Sequence, residues 1–182
     1  VKYVIIIPLL LTTILRADAL EDIYSLYKAG QYRKACNKGL MVFNKYRKNP
    51  DFLMLYGFAC LEGDYVDRVA VPMTGLRKSK TARANASYFA TVLLEKKLLV
   101  HAIRDHVDIS HLRLPATRHV ISKVFQLFVD GHYTKEGNRY ILKDPDRPNF
   151  SYRLYPVDHS KWTSMVIEEW KDGKRIKVHR YW

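Results

Sequence analysis

Gly30-Gln31-Tyr32-Arg33-Lys34-Ala35 and Gly63-Asp64-Tyr65-Val66-Asp67-Arg68 read as one turn written twice, with Tyr32 and Tyr65 33 residues apart. That interval decides the fold, because helical hairpins of this length stack by covering one another's apolar faces. Around the first copy, Ile23, Leu26, Tyr27, Tyr32, Ala35, Leu40 and Phe43 recur at helical spacing with a break at Gly30. This predicts helix, tight turn and helix from Leu20 to about Lys48. Asn49-Pro50-Asp51 ends the unit, since proline disfavours helix at the residue before it and suits the first turn of the next. A second hairpin then carries Phe52, Leu53, Leu55, Tyr56, Ala59 and Leu61, turns at Glu62-Gly63-Asp64 and continues from Tyr65.

A third unit is written more faintly. Ala84 to Glu95 supplies a helix, Lys96-Lys97 stands where the turn belongs, and Leu99 and Ala102 follow it. These intervals resemble the tetratricopeptide-repeat family, whose helix-turn-helix has a Gly-acidic turn, an aromatic residue after it and a small residue three places on. Gly30, Tyr32 and Ala35 match in the first unit, and Gly63, Asp64 and Tyr65 in the second. Arg68 takes the place of the small residue there, and Pro72 interrupts the second helix. The third unit keeps Ala102 and has no glycine. The resemblance covers roughly residues 20–110, and a related family such as the Sel1-like repeats has the same short-repeat logic. It implies a curved stack of three hairpins with a groove for a peptide or helix of another protein, hence an adaptor or assembly factor. An ordinary small helical bundle is the rival.

Before the repeats, Lys2 precedes the apolar run Tyr3 to Leu15, and Ala17-Asp18-Ala19 offers small residues at A-x-A spacing. This predicts a signal peptide over residues 1–19 and export, with a bacterial periplasm as the destination. An uncleaved run would instead be a membrane anchor, although it falls short of the ~20 residues that span a bilayer. The chain carries 31 Lys and Arg against 18 Asp and Glu, a net charge of +13, and loss of Lys2, Arg16 and Asp18 would leave +12. An exported basic protein seldom meets nucleic acid. Acidic proteins, anionic lipid head groups and envelope polymers are the expected counterparts. Oligomeric state is not legible.

Cys36 and Cys60, the two cysteines of the chain, flank the two turn motifs on helices expected to be neighbours. A bridge there would contribute about 3 kcal/mol by loop closure; two separate buried thiols are the other reading. They are too few for a zinc site. His101, His106 and His111 are spaced by five residues, which turns their side chains apart on a helix, so no metal site is expected.

Beyond residue 112 the period changes. Leu114-Pro115-Ala116 reads as the start of a helix with Val120, Ile121, Val124, Phe125 and Phe128 on its apolar stripe. Segments 138–143, 150–155, 162–170 and 174–182 then read as strands, with Lys171-Asp172-Gly173 as a hairpin turn. The expected fold is therefore mainly α with a small α+β C-terminal part. It divides into a repeat domain at 20–112 and an α+β domain at 113–182, the latter a helix and a three- or four-stranded antiparallel meander. Alternation along the last strand groups Arg175, Lys177, His179 and Tyr181 on one face. With Arg180 these cations form an alternative site, a basic surface for envelope polymer or lipid. No nucleophile elbow, phosphate loop, H-E-x-x-H helix or dinucleotide glycine set occurs, so no catalytic residue or cofactor is expected.

Overall fold

The computed structural model describes residues 19–182. The expected signal peptide lies almost wholly outside the described residues, of which no helix is long and apolar enough to cross a membrane. Among the described residues six helices come first: α1 (Ala19–Lys28), α2 (Tyr32–Tyr46), α3 (Pro50–Glu62), α4 (Ala70–Gly75), α5 (Lys80–Asp105) and α6 (Val120–Val129), with a 3-10 turn at Val66–Val69. Five strands follow: β1 (Tyr133–Glu136), β2 (Arg139–Lys143), β3 (Phe150–Asp158), β4 (Thr163–Lys171) and β5 (Lys174–Tyr181). They form one antiparallel meander in chain order.

The first hairpin follows from its residues. Gly30 takes the left-handed conformation at φ 70° between α1 and α2, and the Asn49 side chain accepts hydrogen bonds from Asp51 and Phe52 N–H to cap α3, with Pro50 in its first turn. Gly57 lets α3 meet α5 closely, since a Cβ there would lie 2.4 Å from the Phe89 ring. Cys36 and Cys60 form a disulfide that joins α2 to α3.

The fold departs from the expected stack in three places. The sheet has five strands where three or four were read: β1 was missed because its four residues are all exposed and carry no alternation. The second hairpin has no full outgoing helix, only the 3-10 turn and the six-residue α4, with Pro72 in its first turn. The third hairpin does not exist. α5 runs unbroken for 26 residues through Lys96-Lys97, because those are good helix formers with no glycine or proline beside them. The Lys96 side chain is buried, with Asp67 Oδ2 at 2.8 Å and the Trp182 main-chain oxygen as acceptors. Leu99 and Ala102 are buried positions of a continuous helix.

The turn echo is also one residue out of phase with the backbone. Gly30 N–H bonds Tyr27 O and Gln31 N–H bonds Leu26 O; Asp64 N–H bonds Leu61 O and Tyr65 N–H bonds Cys60 O. Asp64, at φ 67°, is thus the partner of Gly30, and Gly63 is not. Gly131 and His132 close α6 by the same pair of bonds, so the pattern is a general way of ending a helix. α6 itself begins at Val120, later than read, capped by His119, whose Nδ1 accepts from Ile121 N–H at 3.2 Å.

One hydrophobic core runs from Ile23 of α1 to Tyr181 of β5, across the boundary drawn at residue 112. α5 packs on β3 and α6 on β2. The inner sheet face contributes Tyr140, Leu142, Tyr152, Leu154, Met165, Ile167 and Tyr181 to this core. A bulge at Glu169/Trp170 pairs Glu169 with Lys177 and Trp170 with Arg175, leaving one extra residue in β5. It corrects the simple alternation, placing Arg175 on the outer face beside Glu168 and Lys177 on the inner face beside Glu169 and His179.

Candidate functional site

Where the helices meet the inner sheet face, a pocket of about 250 Å³ opens, bounded by the end of α3, the start of α6 and strands β3 to β5. Its back wall is built on Asp64. Gly63 before it allows a close approach of backbones, since a Cβ would stand 3.0 Å from Ala59 O and 3.2 Å from Arg33 N. Asp64 then turns its carboxylate inward: Arg33 Nη2 donates to Oδ2 at 3.0 Å, and His179 Nδ1 lies 2.6 Å from Oδ1. The other ring nitrogen of His179, Nε2, lies 2.9 Å from Glu169 Oε1. An imidazole with a carboxylate on each nitrogen donates twice and is held as imidazolium. Burial works to lower the His179 pKa, but the hydrogen bonds to Asp64 and Glu169 and the Asp64 charge outweigh it and hold it above the usual value. The bond from His179 in turn lowers Glu169, against its burial.

The second histidine is set the opposite way. His119 is buried, and desolvation pushes its pKa down to about 4, only partly offset by a hydrogen bond to the Leu61 backbone. Its Nδ1 is the acceptor that caps α6, so it stays neutral with both nitrogens occupied. One wall thus holds a charged and an uncharged imidazole, and neither has a nitrogen free to carry a proton to or from a ligand.

Four cations face this wall from three elements of structure: Arg118 before α6, Lys123 on it, Arg147 in the β2–β3 loop and Lys177 on β5. Lys123 and Arg147 are anchored by the buried Asp144, each at 2.8 Å, and Arg147 also donates to the Tyr152 hydroxyl at 2.6 Å. Their hydrogen bonds and charges hold the Asp144 carboxyl below its usual pKa despite burial. Arg118 and Lys177 are exposed and form no close ion pair among the described residues, although Lys177 stands opposite Glu169 in the β4–β5 register and its charge helps to lower that carboxyl. Glu62 and Glu169 are the acids of the lining.

Of the cations expected to form a binding surface, Lys177 enters this pocket, and His179, read on the same strand face, lines it too. Arg175 donates to Glu168 at 3.0 Å on the outer sheet face, and exposed Arg180 follows it there. The turn residues are structural: Tyr32 opens α2, Ala35 is buried in it, and the Tyr65 ring packs at a tilt against Trp182, with Arg68 4.2 Å from its ring centroid. His101, His106 and His111 stay apart, and among the described residues no group of three or more His, Cys, Asp and Glu is placed to hold a metal ion. His119, Arg118, Lys123, Arg147 and Glu169 carried no local signal of a site, and Asp64 was legible only as the acid of a turn, since the wall joins residues as far apart as Asp64 and His179, 115 positions.

No family model matches the chain, and no curated protein or solved structure matches it either.

Proposed function

We propose that the protein is a binding module for a small anionic group, a phosphate, sulfate or carboxylate, received in the pocket between helices and sheet. The observation that carries this reading is the meeting of four cations at one pocket: exposed Arg118 and Lys177, which form no close ion pair among the described residues, border it with the anchored Lys123 and Arg147, and Glu62 and Glu169 are its acids. Charge-assisted hydrogen bonds from such groups are the strong ones in anion recognition. The wall behind them is immobile by construction, with His179 clamped between two carboxylates and Arg147 fixed to Asp144 and Tyr152. Because both histidines have their nitrogens committed, the arrangement suits holding a ligand better than moving protons. The adaptor reading drew its groove from a stack of three hairpins; with α5 continuous through the third, the weight passes to the alternative of an anionic ligand, at a different place on the sheet.

Calorimetric titration with inorganic phosphate at low salt tests this. Arg118→Ala/Lys177→Ala should weaken binding by roughly tenfold or more, and added sodium chloride should weaken it in the parent. Phosphate that fails to bind the parent, or binds parent and double variant alike, sinks the proposal.

A further inference from the structure

The outer face of the sheet has a chemistry of its own, independent of the pocket. Register places three rows of side chains across it. The first runs from Arg139, over the Tyr155 ring at 5.0 Å, through Tyr155 and Val166 to Arg180. The second is Ile141, Arg153, Glu168 and Val178. The third is Lys143, Ser151, Trp170 and Arg175. Val166 is fully buried yet stands outside the hydrophobic core, so the side chains of this same face cover it.

Those covering side chains are cations laid on aromatic rings. Arg153 sits 3.7 Å above the Trp170 ring centroid, and stacking of this kind fixes a guanidinium while leaving its N–H edges free. One carboxylate, Glu168, holds the centre, accepting from the Tyr155 hydroxyl at 3.1 Å, Trp170 Nε1 at 3.0 Å and Arg175 at 3.0 Å. Arg139, Arg153 and Arg180 form no close ion pair among the described residues, with Glu136 opposite Arg139 and Glu168 opposite Arg153 in the strand register. With Lys143 and Arg175 they spread over about 14 Å across the strands and about 14 Å along them, at ordinary strand spacings.

We infer that this face docks on an anionic lipid bilayer. Two properties favour that occupant over a linear polyanion. The cations are distributed in two dimensions around a central acid, whereas a chain would be served by a single track. Tyr155 and Trp170, half-buried with their polar tips bound to Glu168, hold Arg139 and Arg153 over their rings, so that phosphates of neighbouring lipids meet fixed guanidinium edges.

The test is co-flotation of the full chain with vesicles of phosphatidylcholine alone and of phosphatidylcholine doped with phosphatidylglycerol. The protein should bind the anionic vesicles much more strongly, and Arg139→Glu/Arg180→Glu, two exposed positions, should cut that binding by about tenfold or more. Circular dichroism and the melting midpoint of this variant should match the parent. Arg118→Ala/Lys177→Ala should float as the parent does, which separates this face from the pocket. Equal binding to both vesicle types would trace the affinity to the apolar run Tyr3 to Leu15 and overturn the inference. So would a single-stranded oligonucleotide that binds the parent more tightly than the vesicles and loses affinity in the same variant.

Discussion

Asp64 does at one position what the rest of the wall depends on. It is one of three non-glycine residues with positive φ among the described residues, a conformation that Asp and Asn tolerate better than other side chains, and its carboxylate joins the α2 residue Arg33 to His179 of β5. Asp64→Asn keeps the shape and the backbone tolerance but removes the charge. The His179 pKa should then fall, since burial would be opposed by Glu169 alone, and the loss of charge-assisted bonds should cost about 2 kcal/mol. An NMR titration of the His179 ring reads the first effect and urea unfolding the second. An unchanged His179 titration would show that Glu169 alone sets the charge.

Among the elements, those with a local signature were readable and those shaped by distant partners were not. The hairpin of α1 and α2, the Asn49-Pro50 cap and the Lys171-Asp172-Gly173 turn each follow from a few adjacent residues. β1 could not be read because Tyr133–Glu136 has no buried side to alternate with, and the pocket could not because Arg118, Arg147 and Lys177 meet only through the tertiary fold. The division at Lys96-Lys97 failed for a related reason. Two adjacent lysines look like a solvated turn until Asp67 and the Trp182 carbonyl are known to receive the first of them. The helix therefore depends on that reception. Lys96→Met keeps the helix propensity and the apolar stem but deserts both acceptors, leaving Asp67 to Lys97 at 2.7 Å. Because Asp67 is partly exposed and keeps Lys97, the cost is that of charge-assisted hydrogen bonds, about 1–2 kcal/mol. The denaturation midpoint should drop accordingly, and amide exchange near the end of β5 should quicken, because Lys96 ties that end to α5. An unshifted midpoint with unchanged exchange would mean that the tie contributes nothing.

For the molecule as a whole, the buried ionisable groups set opposing pH limits. Glu95 is fully buried between α5 and α6; desolvation lifts its pKa to about 7 against the opposing hydrogen bond from Ser122 at 2.9 Å, and its Oε2 has no hydrogen-bond partner among the described residues. A raised pKa means that the folded state holds a proton the unfolded chain has released. The stability it confers is complete below the ordinary value of 4.5 and is lost as pH rises through about 7. His179, also raised, acts in the same direction. His119 opposes them: depressed from 6.5 to about 4, it stabilises above the first value and loses that contribution as pH falls through the second. Asp67, Asp144, Glu168 and Glu169 are all depressed and fail on the acid side too. Self-repulsion of a chain with net charge +13 and pI about 9.7 changes little near neutrality, since lysine and arginine titrate far above it. Maximum stability should therefore lie at about pH 5 to 6.5, well below the pI. Glu95→Gln isolates the alkaline limb: it should leave the melting midpoint nearly unchanged at pH 4 and raise stability at pH 8 by roughly 3 kcal/mol, flattening the decline between them. Thermal melts across that range read the difference directly. If Glu95→Gln melts with the same alkaline decline as the parent, Glu95 is ionised in the fold and its apolar enclosure is not what shapes the curve.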